Sequence, residues 1–282
     1  MEEREIAYIA EDMWRRELER RKKPENQRDD QLEEKLFQEL NALDLQYFKD
    51  NPGFQFYWHM QITPDKFQAN EKAVVDVLKK YIGKFDHDGA SMHYIWALAV
   101  KGLDGAAKYL LELYRSLLPL QFFEDKYKQR NFFREGWVHD ILQALYRIQD
   151  KRYIADYLQI IRDEENMQYH VMWIVLLLGK LKVKEAIPDI IRLLDKICPA
   201  SPLKNDLCIS KYAIEALSCF RNKEHIKYVE KFLAPEGLPG VDSKERVKMY
   251  QKQAIKAIKR MGGSIEIEEG PNPKEKRYKA IY

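Results

Sequence analysis

Apolar residues recur along this chain with one fixed set of helical spacings. Counting from Ala97, Ala144, Leu177 and Ala216, the residues 10, 13, 14 and 17 places later are apolar in all but one case. Such intervals place side chains on one face of a helix, and a short polar turn precedes most of these stripes. The pattern therefore predicts four similar helix–turn–helix units. The stripe positions are Ala107, Leu110, Leu111 and Tyr114; Ile154, Tyr157, Leu158 and Ile161; Ile187, Ile190, Ile191 and Leu194; and Ile226, Val229, Leu233 and the exception, Glu230.

The helix before each turn keeps the same register. With Ala257 as a fifth reference position, the residues three places before and one place after each reference are apolar throughout. The references lie 47, 33, 39 and 41 residues apart. A fixed internal pattern with unequal intervals indicates loop insertions between repeated units, so we predict an all-α fold, an α-solenoid of about five helix pairs.

Two more helices are predicted ahead of the repeats, over residues 3–22 and 29–50, with Asp29 or Asp30 as the N-cap of the second. Beyond the last repeat, SIEIE alternates like a strand but has no evident partner, so we expect an irregular or ligand-ordered tail. The predicted organisation is an N-terminal helical cap and aromatic-rich loop over 1–63, a repeat array over 64–263 and a polar C-terminal tail over 264–282.

Three segments carry a resemblance to a known superfamily. VLLLGKLKVKEAIPDIIRLL (175–194), YAIEALSCFRNKEHIKYVEKFL (212–233) and DILQALYRIQDKRYIADYLQII (140–161) are similar to HEAT repeats. The resemblance covers about residues 66–262 and implies paired helices stacked in a solenoid. It says little about activity, because HEAT arrays serve as scaffolds, adaptors, inhibitors and occasionally enzymes.

Composition narrows the classes of function. The formal net charge is only +3, from 48 basic and 45 acidic side chains, which disfavours non-specific nucleic-acid binding. The N-terminal residues lack an apolar signal-peptide core, and no apolar run is long enough to span a bilayer. Three cysteines without CxxC spacing suit free thiols in a reducing compartment, although a Cys198–Cys208 bridge stays open. We expect a cytoplasmic protein without a membrane segment.

If the resemblance holds, the first helices of the pairs line a concave groove with the face opposite their core stripe. The third of these helices, YHVMWIVLLL, is apolar all round, which is typical of a helix buried on every side. Alternatively, its aromatic and thioether side chains form an exposed anchor patch for a partner helix or strand. The candidate groove residues are Met92, His93, Trp96, Asp140, Gln143, Arg147, Tyr169, Met172, Trp173, Tyr212 and Glu215.

No catalytic motif or cofactor site stands out. The segment FDHDGASMH gathers Asp86, His87, Asp88 and His93, but it falls where an inter-helix turn is expected, so we predict no metal site there. No phosphate loop, nucleophile elbow or zinc-protease spacing occurs.

The face also holds basic residues, weighted toward its C-terminal end. One enzyme class stays open, because HEAT-like DNA glycosylases use groove aromatics and an Asp. A loose version of that set is formed by Trp137, Asp140, Arg147, Trp173 and Tyr212. The sequence therefore predicts a non-catalytic protein-binding module of adaptor or immunity type, without cofactors. The alternative is a nucleic-acid-binding protein of the DNA-glycosylase type.

Overall fold

The structure, a computed structural model, is mostly helical, as the sequence predicts. It divides into two compact units, residues 1–144 and 145–282. None of the described helices combines the length and hydropathy that a membrane crossing requires. The structure describes residues 27–43, 71–82, 84, 94–96, 98–117, 128–163, 171–195, 209–234, 244–269 and 276–282.

In the first unit, apolar positions at helical spacing form helices that pack on their buried faces. Leu36 and Leu40 of the first helix and Leu78 of the second are fully buried, and these two helices contact each other. Glu39 ties the same pair together, because its carboxylate accepts hydrogen bonds from Lys80 Nζ at 2.6 Å and Tyr81 Oη at 2.8 Å. The helices of this unit are α1 (Gln27–Asn41), α2 (Glu71–Tyr81) and α3 (Ala106–Leu117), and α4 (Lys128–Ile148) crosses the boundary at Ala144.

The second unit consists of helix pairs that follow the sequence register. Most second helices open with a short 3₁₀ turn, as at Lys151–Tyr153, Lys184–Ala186 and Lys223–His225. A further 3₁₀ segment, Glu230–Leu233, follows the fourth pair. The helices are α5 (Ile154–Arg162), α6 (Met172–Lys180), α7 (Ile187–Leu194), α8 (Ile209–Ser218), α9 (Ile226–Val229) and α10 (Lys244–Arg260).

The core stripes lie where the periodicity puts them. The residues three places before and one place after each of the five reference positions are all buried. Residues at these spacings face the same side of their helix, so each helix buries the same face. The burial pattern confirms the predicted core face of the first helices. These side chains are Tyr94, Ile141, Ile174, Ala213 and Ala254, and Leu98, Leu145, Leu178, Leu217 and Ile258.

The turn that ends each first helix also repeats in the same register. Five residues after each reference the backbone adopts a positive φ, which ends the first helix. At α6 the amide of Lys182 donates to Gly179 O, and that of Val183 donates to Leu178 O, both at 3.0 Å. This pair of bonds is the Schellman motif, and it satisfies carbonyls that the helix end would leave open. The five residues are Gly102 (φ 79°), Gln149 (57°), Lys182 (56°), Arg221 (54°) and Gly262 (91°).

Within the second unit, the first helices α6, α8 and α10 pack on one another in turn, and the second helix α7 packs on α8 as well as on α9. Ion pairs join the second helices, with Arg162 Nε 3.1 Å from Asp189 Oδ2 and Lys231 bound to Asp195. A surface of first helices is thereby held separate from the surface formed by second helices.

Gly179 lets α6 and α8 approach closely. A Cβ placed on Gly179 would lie 2.6 Å from both Cα and O of Ala216. These are backbone atoms of α8, so no side-chain rotation can relieve the overlap.

Gly179→Ala is therefore expected to lower the free energy of unfolding by ~2–3 kcal/mol through overpacking. An exposed helical glycine would instead gain about 1 kcal/mol from the same change. Urea unfolding of the variant checks this, with Lys252→Ala, an exposed change in α10, expected to stay within ~0.5 kcal/mol. A more stable Gly179→Ala protein would contradict the close approach.

The C-terminal residues correct one expectation. They form an antiparallel hairpin of β1 (Ser264–Glu269) and β2 (Lys276–Ile281), not an irregular tail. Acidic β1 faces basic β2, with Glu266 opposite Lys279 and Glu268 opposite Arg277, and such cross-strand pairs favour pairing. β1 also contacts α10, and β2 contacts the 3₁₀ segment after α9.

The predicted N-cap of the second helix is also wrong. α1 begins at Gln27, so Asp29 and Asp30 lie inside the helix and not before it. The predicted helix over 3–22, the aromatic-rich loop and the FDHDGASMH segment lie outside the described residues.

Candidate binding surfaces

The predicted groove residues fall into two sets. Met92, His93 and Tyr169 lie outside the described residues. The remaining residues are Trp96, Asp140 and Gln143 in the first unit, and Arg147, Met172, Trp173, Tyr212 and Glu215 in the second.

In the first unit the structure brings Trp96 and Asp140 together. The Trp96 indole hydrogen-bonds the Asp140 carboxylate, while Oδ2 of that carboxylate has no hydrogen-bond partner and the side chain is only 6% exposed. Gln143, one turn further along α4, is half-buried, and its neighbour Ala144 is fully buried. Asp140 is thus a buried carboxyl group, not an open contact point of a groove.

Burial shifts the pKa values of Asp140 and His139, which are neighbours on α4. Removal from water raises the pKa of Asp140 to about 6, against which the Trp96 hydrogen bond acts in the opposite direction. Burial also lowers the pKa of His139. The folded protein therefore favours the neutral form of both side chains.

In the second unit three aromatic rings, one from each of the first helices α4, α6 and α8, form a row. The Trp173 ring lies 5.4 Å from the Tyr146 ring and 6.3 Å from the Tyr212 ring, centroid to centroid. The ring planes are tilted by 43° and 51°, between stacked and edge-to-face arrangements, at centroid separations typical of aromatic pairs. All three side chains are half-buried. We call Tyr146, Trp173 and Tyr212 the aromatic ladder.

Lysine side chains cover both ends of the aromatic ladder. Lys180 Nζ lies 4.8 Å from the centroid of the Tyr146 ring, and Lys211 Nζ lies 5.4 Å from that of Tyr212. Both distances are within the range of cation–π attraction. Burial and then the charge of Glu215 raise the pKa of Tyr212, so its hydroxyl stays a neutral donor.

A polar strip continues from the ladder along α8. Glu215 Oε2 accepts a hydrogen bond from Gln253 Nε2 at 3.2 Å, and the carbonyl of Glu215 accepts one from the Cys219 thiol at 3.5 Å. Burial raises the pKa of Cys219, an effect that the positive charges of Arg260 and Lys180 oppose. The thiol is therefore protonated and unreactive at neutral pH.

The exposed anchor patch predicted on α6 is smaller than the sequence suggested. Met172 is 1% exposed, so its assignment to an open surface is wrong. Leu176 is also buried, because α6 packs against both α5 and α8. Trp173 alone on this helix keeps a half-open aromatic side chain.

Tyr146 is a member of the ladder that the sequence analysis missed. It lies three residues after Gln143 on α4, so the same helical stripe continued by one turn leads to it. Arg147, its neighbour, is exposed, as the prediction of an open face requires.

No group of three or more His, Cys, Asp or Glu side chains suited to a metal ion occurs among the described residues. The side chain of Trp137, which the glycosylase interpretation needs, lies outside them. Asp140 is only 6% exposed, so little of its carboxyl group is accessible to a bound base.

Comparison with known proteins identifies no family. No family profile matches this chain, and no curated protein is significantly similar to it. Among solved structures, the chain is similar to the crystal structure of an engineered protein at 18% identity and a TM-score of 0.35. That similarity covers 82% of this chain and 61% of the engineered protein, and at such a TM-score it carries no inference about fold or function.

Proposed function

We propose that this chain is a HEAT-like repeat protein of the cytoplasm that binds another protein and performs no catalysis. The observation that carries the proposal is the aromatic ladder on the surface of first helices. Partly exposed aromatic side chains that pack against a neighbouring residue are typical anchors of protein interfaces. The repeated stripes and turns support stacking of the pairs in an α-solenoid, a fold whose exposed first-helix surface commonly receives partners.

The ladder suits binding because its geometry is prepared in advance. Trp173 is held between two tyrosines, and Met172 and Ile174 on either side of it are buried. The indole therefore loses little conformational freedom when a partner covers it. A rigid, half-exposed Trp with buried neighbours is a stronger anchor than a freely rotating one.

Nucleic-acid binding of the glycosylase type is the second candidate, favoured by basic side chains near the ladder. Arg147 and Lys180 are exposed, and Lys211 is half-exposed. A phosphate backbone could use such charges, with a binding constant that falls steeply as salt rises. The burial of Asp140 argues against base excision at the first unit.

Trp173→Ala tests the protein-binding proposal. The variant is expected to lose at least ~2 kcal/mol of binding free energy for the native partner, the usual threshold for an interface anchor. The partner is first captured on the immobilised wild-type protein from its native extract and identified. Its affinity for both proteins is then measured by calorimetry.

Tyr228→Ala is the matched control, since Tyr228 is a half-buried aromatic residue on the second helix α9. It is expected to leave the affinity unchanged. Equal weakening by both variants, or none by Trp173→Ala, contradicts the proposed surface. Circular dichroism confirms that each variant is folded, and Tyr212→Ala replaces Trp173→Ala if the latter unfolds.

A further inference from the structure

Charge is distributed unevenly between the two surfaces of the second unit. Helices α6, α8 and α10 together contain nine Lys and Arg against two Glu, a net charge of +7, whereas the whole chain carries +3. Asp189 and Asp195, by contrast, lie on the second helix α7 or at its end and pair with basic residues there. The first helices are thus the more basic ones, mainly through α10, which holds seven of the nine basic residues.

Two lysines lie beside the aromatic ladder. Lys180 and Lys211 lie over its two terminal rings. Arg260 and Lys182 are close enough to Cys219, which directly follows α8, to oppose the rise in the pKa of its thiol. Glu215, whose charge acts on Tyr212, accepts a hydrogen bond from Gln253. An approaching partner therefore meets ammonium groups around an aromatic centre.

From this arrangement we infer that the proposed protein partner docks through an acidic segment that carries an apolar anchor residue. Carboxylates of the segment pair with Lys180 and Lys211, and the apolar residue packs on Trp173. Such a segment complements both the sign of the surface charge and the apolar centre. The inference rests on the proposed function and adds the chemistry of the partner to it.

The same geometry disfavours nucleic acid as the occupant. Base stacking needs an open ring face, as in single-strand binding proteins. Here an ammonium group covers a face of Tyr146 and of Tyr212, and the tilted rings of the ladder contact one another. One face of each tyrosine is therefore less available for stacking, while the lysine ammonium groups keep hydrogen-bond donors for carboxylates.

Selection from a displayed library of random peptides of about 12 residues tests the inference. The library is selected on the wild-type protein after depletion on Trp173→Ala, so that only ladder-dependent peptides are kept. We expect strong enrichment of Asp and Glu around one aromatic or large aliphatic residue. The selected peptides should bind the Lys180→Glu/Lys211→Glu variant about tenfold or more weakly.

Lys227→Glu is the matched control, because Lys227 also lies over a tyrosine ring, that of Tyr228 at 5.1 Å, but on α9. It should change the affinity of the selected peptides by less than about twofold. Peptides with Glu changed to Lys should in turn recover binding to the charge-reversed variant. If the double variant fails to fold, Lys180→Met/Lys211→Met takes its place.

The outcomes separate the two proposals. Ladder-dependent peptides without acidic enrichment overturn the inference and leave protein binding intact. Failure to select any ladder-dependent peptide overturns both. Tighter binding of labelled oligothymidylate than of the selected peptides, lost in the charge-reversed variant, assigns the surface to nucleic acid instead.

Discussion

Ile174→Ala is expected to lower the free energy of unfolding by ~2–5 kcal/mol, the cost of removing a branched side chain from a packed core. Ile174 is 0% exposed and lies on the core face of α6, which has the most apolar sequence among the described helices. Its loss leaves a cavity between first and second helices that the flanking backbone cannot close, because α6 is already in close contact with α8 at Gly179.

Gln143→Ala provides the comparison, because Gln143 lies on the opposite face of its own first helix and is half-buried. We expect a change within ~0.5 kcal/mol. Urea unfolding followed by circular dichroism measures both variants under one set of conditions. Equal destabilisation by the two changes would show that the assignment of core and open faces is wrong.

The residues that the sequence predicted well are those whose position depends on one helix alone. Tyr94, Ile141 and Ile174 occupy the same place in the register of three different pairs, and all are buried. Burial of a stripe follows from the helical period, because the apolar face of an amphipathic helix must be covered by some neighbour, whichever it is.

The features that the sequence did not predict depend on residues far apart in the chain. The hairpin needs Ile267 to meet Tyr278, and β1 alone gave no sign of β2. Met172 is buried because α6 is covered on more than one side, which the angle of a residue on its own helix cannot reveal. Strand pairing and the burial of a helix by its neighbours are tertiary properties, and they override what the local sequence pattern predicts.

The aromatic ladder could be predicted from the sequence only in part. The register placed Trp173 and Tyr212 on one face in neighbouring pairs, and the structure brings their rings into contact. The approach of Lys180 to Tyr146 was not foreseen, since it joins the last turn of one first helix to that of the preceding one. Repeat register therefore predicts which residues share a surface, and side-chain packing decides which of them touch.

Asp140 is expected to make the protein less stable as the pH rises from about 4 to above 6. Its pKa rises to about 6 in the folded state, above its ordinary value of 3.8, because the carboxyl group is buried. Between these two values the folded protein holds a proton that the unfolded chain has released, so stability falls as pH increases. The shift corresponds to a loss of up to ~3 kcal/mol, fully present above the folded pKa.

Asp140→Asn removes this titration while keeping an oxygen for the Trp96 indole. The unfolding free energy of the wild-type protein minus that of Asp140→Asn should therefore fall by up to ~3 kcal/mol between pH 4 and pH 8. Trp96→Phe removes the hydrogen bond that holds the pKa down, so it should move the fall to higher pH. Urea unfolding at several pH values measures the difference, and carboxyl ¹³C NMR follows Asp140 directly. A difference that stays flat across this range would show that Asp140 is ionised in the folded protein, with water or another group at its Oδ2.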